Sequence, residues 1–164
     1  MSSKDSVPPE AQASSNFIWP PVIYAAAALL STLLAFLVPL SIGWQAGGIA
    51  MKLLGIAVIV FGIAIALGAK RLFNRAGTPV APIRPSTALV TDGIYRWTRN
   101  PMYLGLSLIL LGIGVATGSL WFFIGLALAI WAVTKLAIER EEAYLAQKFG
   151  DTYLDYKSRV RRWI

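Results

Sequence analysis

Trp19 to Leu40 contains no charged residue. An α-helix rises about 1.5 Å per residue, so roughly 20 residues cross a hydrocarbon core of about 30 Å. Ile49 to Ala69 is equally apolar, with Lys52 close enough to its start to snorkel to the interface. Pro101 to Ala116 and Leu120 to Ala137 add two shorter apolar stretches. Inside a bilayer every backbone N–H and C=O must be satisfied within the segment, which selects helices. The pattern therefore predicts an all-α integral membrane protein with about four transmembrane helices, at 19–40, 49–69, 101–116 and 120–137. A hydrophobic fraction of 57% excludes an ordinary soluble domain.

The segments between the spans set the topology. Ser41 to Gly48 and Thr117 to Ser119 are short and uncharged. Lys70 to Asn100 is a long polar connection, interrupted by Pro79, Pro82 and Pro85, and it carries six of the 15 Lys/Arg. Seven more lie between Lys135 and Arg162. Basic residues stay on the cytoplasmic side, which puts this loop, the C-terminus and the N-terminus in the cytoplasm. The net charge of +7 is thereby explained by topology and anionic lipid, and nucleic acid is not expected as a partner. Met1 to Asn16 reads as a disordered tail, and residues 17–164 as a single membrane domain. Glu139 to Arg162 reads as an interfacial amphipathic helix, interrupted near Gly150, with Lys148, Lys157, Arg159, Arg161 and Arg162 directed at lipid head groups. Gly55, Gly62 and Gly68 let the second span approach a neighbour closely, within the bundle or in a dimer.

The chain contains no Cys and no His. Thiolate chemistry, Ser–His hydrolysis and the usual zinc sites are therefore excluded, and no metal is expected. Chemistry must come from carboxylates, Tyr, Arg, Lys, backbone groups or a reactive cofactor. Such residues cluster at both ends of one hairpin. The third and fourth spans are joined by so short a turn that they run antiparallel, so Asn100 and Tyr103 meet Glu139, Glu141 and Glu142 at one membrane face. On a helix Glu139 and Glu142 share a side, while Glu141 points elsewhere. Each group has two readings. The glutamates form a solvated helix end, or they hold a polar cofactor. Arg96 and Arg99 beside Trp97 anchor the interface, or they bind a carboxylate or phosphate. The free N–H groups after Asn100-Pro101 favour an anion such as a cofactor carboxylate.

At these residues the chain resembles the isoprenylcysteine carboxyl methyltransferase and phospholipid methyltransferase superfamily. The shared pattern reads Gly93-Ile94-Tyr95, Arg99-Asn100-Pro101-Met102-Tyr103-Leu104-Gly105, then after the hairpin Glu141-Glu142-Ala143-Tyr144-Leu145, Phe149-Gly150, Tyr153 and Tyr156. The resemblance implies S-adenosylmethionine as methyl donor, bound at the cytoplasmic side by Thr87, Ala88, Leu89, Val90, Tyr95, Asn100, Pro101, Met102, Tyr103 and Glu141 in a pocket formed by the loop and the C-terminal helix. The acceptor is lipophilic or small: a thiol, carboxylate, amine or phospholipid head group. Arg99 and Arg140 are the candidates for holding it, and Glu142 or Tyr103 for a base where one is needed. Ala137 stands where the isoprenylcysteine enzymes carry a substrate-binding Arg, and neither Lys135 nor Arg140 replaces it. Two other readings remain open: an NADPH-dependent membrane reductase of the sterol reductase type, and a non-enzymatic four-span protein.

The predicted orientation is tested by chemical labelling, which the absence of native cysteine makes clean. Ser41→Cys is expected to react with an impermeant maleimide on intact cells, and Ser158→Cys only after permeabilisation. The reverse pattern would invert the topology.

Overall fold

The computed structural model describes residues 19–43, 48–77 and 88–164. The expected N-terminal tail, the middle of the polar loop with its three prolines, and Thr87 lie outside the described residues. Helix α1 spans Pro20–Leu37, α2 Gly48–Arg75, α3 Pro101–Thr117 and α4 Leu120–Val133. A π-helical turn, Thr134–Ile138, joins α4 without a break to α5, Glu139–Phe149. Helix α6 spans Asp151–Arg159. The expected all-α membrane architecture is what the structure shows. Among the described residues three helices, Pro20–Leu37, Gly48–Arg75 and Leu120–Phe149, are long and apolar enough to cross a membrane, and α3 is a shorter apolar helix. Leu29, Phe36 and Phe61 on α1 and α2 are largely exposed, a surface that lipid covers.

Pro20 and Pro101 each start a helix at a position where a missing N–H costs little. Helix α2 runs past the expected end at Ala69 to Arg75. The apolar pair Leu72-Phe73 carries it on, and the Phe73 ring packs against Tyr95, centroids 5.4 Å apart. Gly118 closes α3 in the left-handed conformation (φ 65°), which a residue with a Cβ rarely adopts. The two uncharged turns then pair: Ile42 N–H donates to Gly118 O at 2.9 Å and Leu120 N–H to Leu40 O at 2.9 Å. All polar machinery is left at the opposite end of the bundle.

Two seams hold the helices. Between α2 and α3 the contact is backbone on backbone. A Cβ added to Gly55 would lie 2.5 Å from Gly112 O, and one added to Gly62 would lie 2.7 Å from Gly105 O. The third small residue of this antiparallel seam is Ala69, fully buried; Gly68, expected to belong to it, has nothing within 4 Å of an added Cβ. The spacing 55, 62, 69 is sevenfold, the period that keeps one helix stripe against a neighbour. Across the bundle, α1 packs on α4, where Gly125 faces Ser31, and on α3, where Tyr24 Oη and Ser107 Oγ share a buried hydrogen bond of 2.7 Å. Tyr24, Tyr103, Leu110, Phe122, Ala129, Val133, Ala137 and Ile138 form the buried core.

The seam predicts opposite outcomes for two glycines on one helix. Gly62→Val is expected to destabilise by about 1–3 kcal/mol or more through overpacking. Gly68→Ala is expected to be neutral or to stabilise by about 0.5–1 kcal/mol through helix propensity. Thermal unfolding in detergent distinguishes the two; equal effects would mean that α2 meets α3 elsewhere.

Candidate active site

The polar end is built on the α3–α4 hairpin. The apolar part of the long fourth helix ends near Ala137, since roughly 20 residues suffice to cross the hydrocarbon. Glu139 to Phe149 therefore stands beyond it. A π-helical turn inserts an extra residue per turn and re-aims the side chains after it. Beyond Thr134–Ile138 the glutamates part. Glu141 turns to α3, accepting a 3.1 Å hydrogen bond from Tyr103 Oη. Glu142 turns to the C-terminal segment.

Both oxygens of Glu142 are occupied. Arg162 chelates it, Nε to Oε1 at 2.8 Å and Nη2 to Oε2 at 3.0 Å. Arg99 Nη1 lies 3.2 Å from Oε1 and Lys157 Nζ 3.3 Å from Oε2. Burial alone would raise the carboxyl pKa; the Arg162 hydrogen bonds and the Arg99 charge outweigh it and hold the group below the ordinary 4.5. The expectation that Lys157 and Arg162 meet lipid head groups is thus corrected: a buried carboxylate needs compensation more than lipid phosphates do. Arg159 does stay outside, paired with Asp155 at 2.7 Å.

The same C-terminal segment ties down the loop before α3. Arg99 N–H donates to Arg161 O at 3.0 Å. Thr98 Oγ1 and Asn100 Nδ2 both donate to Arg162 O, at 3.2 and 2.9 Å. Tyr156 Oη donates to Tyr95 O at 2.7 Å; burial pushes its phenol up to about 12. Gly150 (φ 52°) makes the break that lets α6 fold back and bring these tyrosines inward.

A cleft opens between these elements, lined by residues of α2, the loop, α3, α5 and α6. Of the residues implied by the family resemblance, Ala88, Leu89, Val90, Tyr95, Asn100, Pro101, Met102, Tyr103 and Glu141 line it, as do Arg99 and Glu142. Arg140 is on an exposed face and is not among the lining residues. Thr87 lies outside the described residues. Phe73, Leu145, Tyr153 and Tyr156 also line the cleft, and sequence reasoning missed them as site residues. Leu145 and the tyrosines carried a signal in the motif; Phe73 carried none, because its segment reads as loop.

Three features give the cleft its chemistry. Burial raises the pKa of Glu141, the neighbouring Glu142 charge adds to this, and the Tyr103 hydrogen bond offsets part of it. Glu141 has no ion-pair partner among the described residues. Tyr95 Oη and Arg99 Nε are buried without a hydrogen-bond partner among the described residues, and burial, with the Glu141 charge, raises the Tyr95 phenol. Buried polar atoms left unpaired in a cleft are what a bound ligand satisfies.

Apolar helices closed at one end by neutral turns and opened at the other into a polar, aromatic-lined cleft define a helical membrane protein. Residues 50–152 match the phospholipid methyltransferase family, and the chain belongs to that family. It is 39% identical over 72 residues to protein-S-isoprenylcysteine O-methyltransferase of Schizosaccharomyces pombe, 44% of this chain and 30% of that one. To protein-S-isoprenylcysteine O-methyltransferase B of Arabidopsis thaliana it is 32% identical over 108 residues, 65% of this chain and 55% of that one. An uncharacterized protein of Haemophilus influenzae is matched over its whole length, 44% identical over 63 residues, 38% of this chain. The match thus spans under a third of the Schizosaccharomyces protein and about half of the Arabidopsis one.

The Glu142 clasp predicts a pH signature. Its folded pKa is lowered, so its contribution to stability is present above about pH 4.5 and is lost as pH falls through the lowered value. Glu142→Gln is expected to lower stability at pH 7 by about 1–3 kcal/mol, discounted because Arg162 and Lys157 are partly exposed. The difference from wild type should shrink as the solution is acidified; a difference independent of pH would exclude the clasp.

Proposed function

We propose that this protein is an integral membrane methyltransferase that carries a methyl group from S-adenosylmethionine to a lipophilic or small acceptor at the cytoplasmic face. The observation that carries this reading is Glu141. It is a carboxylate in the cleft with no ion-pair partner among the described residues, hydrogen-bonded by Tyr103 and accompanied by the rings of Phe73, Tyr95 and Tyr103. A carboxylate framed by aromatic faces suits a positively charged ligand such as a sulfonium or ammonium group. Membership of the family supports the same conclusion.

The donor supplies an electrophilic sulfonium methyl group when bound, so neither a histidine nor a metal is needed. The chain's own residues would hold and orient. Glu141 and the rings would take the cationic part, the unpartnered Tyr95 hydroxyl a polar edge, and Pro101, Met102 and Leu145 the apolar portion. Arg99 is the remaining candidate for the acceptor, since Arg140 does not line the cleft. Such positioning can contribute about 7–11 kcal/mol to lowering a barrier. A thiolate or carboxylate acceptor needs no base. For an acceptor that arrives protonated, Glu142 is poorly placed, with both oxygens occupied. The Tyr103–Glu141 pair is the better proton acceptor. Ala137, fully buried in the core, offers an anionic acceptor nothing.

Calorimetry on detergent-purified protein tests the reading. S-adenosylmethionine is expected to bind with micromolar affinity, weakened roughly 10- to 100-fold by Glu141→Gln and by Tyr103→Phe, the range for a hydrogen bond to a charged group. Binding of NADPH in its place would move the protein to the reductase reading. Silence toward both would leave a non-enzymatic membrane protein.

A further inference from the structure

Arg162 grips two parts of the molecule at once, one with its backbone and one with its side chain. Its carbonyl accepts from Thr98 Oγ1 at 3.2 Å and from Asn100 Nδ2 at 2.9 Å. Its guanidinium chelates Glu142 on α5. The residues on either side continue the attachment. Arg161 O accepts from Arg99 N–H at 3.0 Å, and Trp163 packs on the buried core. Val160 ends α6 in an extended conformation (φ −117°, ψ 131°), so the chain beyond it leaves the helix and is held by these contacts.

Thr98 is the loop's half of the attachment. It is 2% exposed and is not among the residues lining the cleft. Its hydroxyl donates to Arg162 O and accepts from Asn100 N–H at 3.2 Å. One buried hydroxyl therefore ties the end of the loop to the C-terminal segment. Arg99, Asn100 and Glu142 do line the cleft. Three cleft residues, from the loop and from α5, thus take their positions from a segment that stands outside the lining. A chain end held by separable contacts opens at lower cost than a helical bundle.

We propose that residues 160–163 are a latch, that Thr98 and Arg162 are the positioning residues through which it holds Arg99, Asn100 and Glu142, and that the latched form of the cleft is the form that binds ligand. Opening the latch frees the loop end and α5 together, because both are attached to one residue. A ligand that binds the latched cleft alone keeps it shut by mass action. The link to a ligand rests on the reading of the cleft as a methyl-donor site; the latch itself does not. Thr98 lies within the matched family segment, whereas Arg162 and Trp163 lie beyond its end at residue 152.

The test is native-state hydrogen exchange, resolved to single amides, on the full-length protein in detergent. The Arg99 amide, bonded to Arg161 O, and the Asn100 amide, bonded to Thr98 Oγ1, report the latch; amides inside α3 report the bundle. In wild type the two loop amides are expected to exchange faster than those inside α3, the mark of local opening. Thr98→Val should speed the Arg99 amide roughly 5- to 30-fold, the effect of one buried hydrogen bond lost, and Thr98→Ser should restore most of the protection. Trp163→Ala should speed the same amide although its side chain makes none of these hydrogen bonds, an effect that a purely local role of Thr98 would not produce. S-adenosylmethionine at about 100 times its dissociation constant should slow both loop amides by up to about 100-fold. A variant that fails to fold is identified by fast exchange throughout α3, and Trp163→Phe then replaces Trp163→Ala. Loop amides that exchange only as slowly as the α3 interior, or that ignore both substitutions, overturn the proposal. So does exchange unchanged by S-adenosylmethionine that calorimetry shows to be bound. Failure of folded wild type to bind S-adenosylmethionine overturns the methyl-donor reading, and the Thr98 and Trp163 variants then decide the latch by themselves.

Discussion

A turn too short to let two apolar helices diverge governs this molecule. Gly118 takes a backbone conformation closed to most residues, Ser119 stands at the N-cap of α4, and α3 and α4 must run side by side. Everything polar that precedes α3 is then delivered to everything polar beyond α4. Tyr103 reaches Glu141 across 38 positions of sequence without any long-range element arranged for the purpose. The bilayer enforces the rest, because helices are the arrangement that satisfies the backbone in hydrocarbon.

Two adjacent glutamates acquire different chemistry from this arrangement. Neighbouring positions on a helix point about 100° apart, which sends one to a phenol and the other to a trio of cations. The first, hydrogen-bonded by Tyr103, keeps a raised pKa in the cleft; the second is held ionised and serves as a knot between the loop, α5 and the C-terminal segment. Placing groups of one type in environments that separate their pKa values is a common way for a site to obtain two roles from one residue type.

The sequence made much of this legible. Hydropathy located the apolar helices, because the bilayer imposes a length and excludes charge. The shortness of the Thr117–Ser119 turn placed Asn100 and Tyr103 beside the glutamates. Most of the cleft-lining residues carried a signal in the two motifs flanking the hairpin. Other features were hidden for physical reasons. Lys157 and Arg162 look like lipid anchors in a linear pattern, and only the folded chain shows that Glu142 has a stronger claim on them. Lys70 and Arg71 suggested that α2 had ended, whereas Leu72 and Phe73 continue it onto Tyr95. Gly68 drew attention by its identity, yet the sevenfold spacing of the seam selects Ala69. Tertiary contact overrides composition at each of these positions.

The α2–α3 seam has a mechanical consequence. Where Gly55 meets Gly112 and Gly62 meets Gly105, main chain rests on main chain, and no side chain is present whose rotation can relax the contact. The two helices therefore behave as one stiff beam. Helices α1 and α4 meet it mainly through side chains, which have alternative rotamers and can yield. Displacing the α1–α4 pair therefore meets less steric resistance than parting α2 from α3, and the Tyr24–Ser107 hydrogen bond ties the two pairs together.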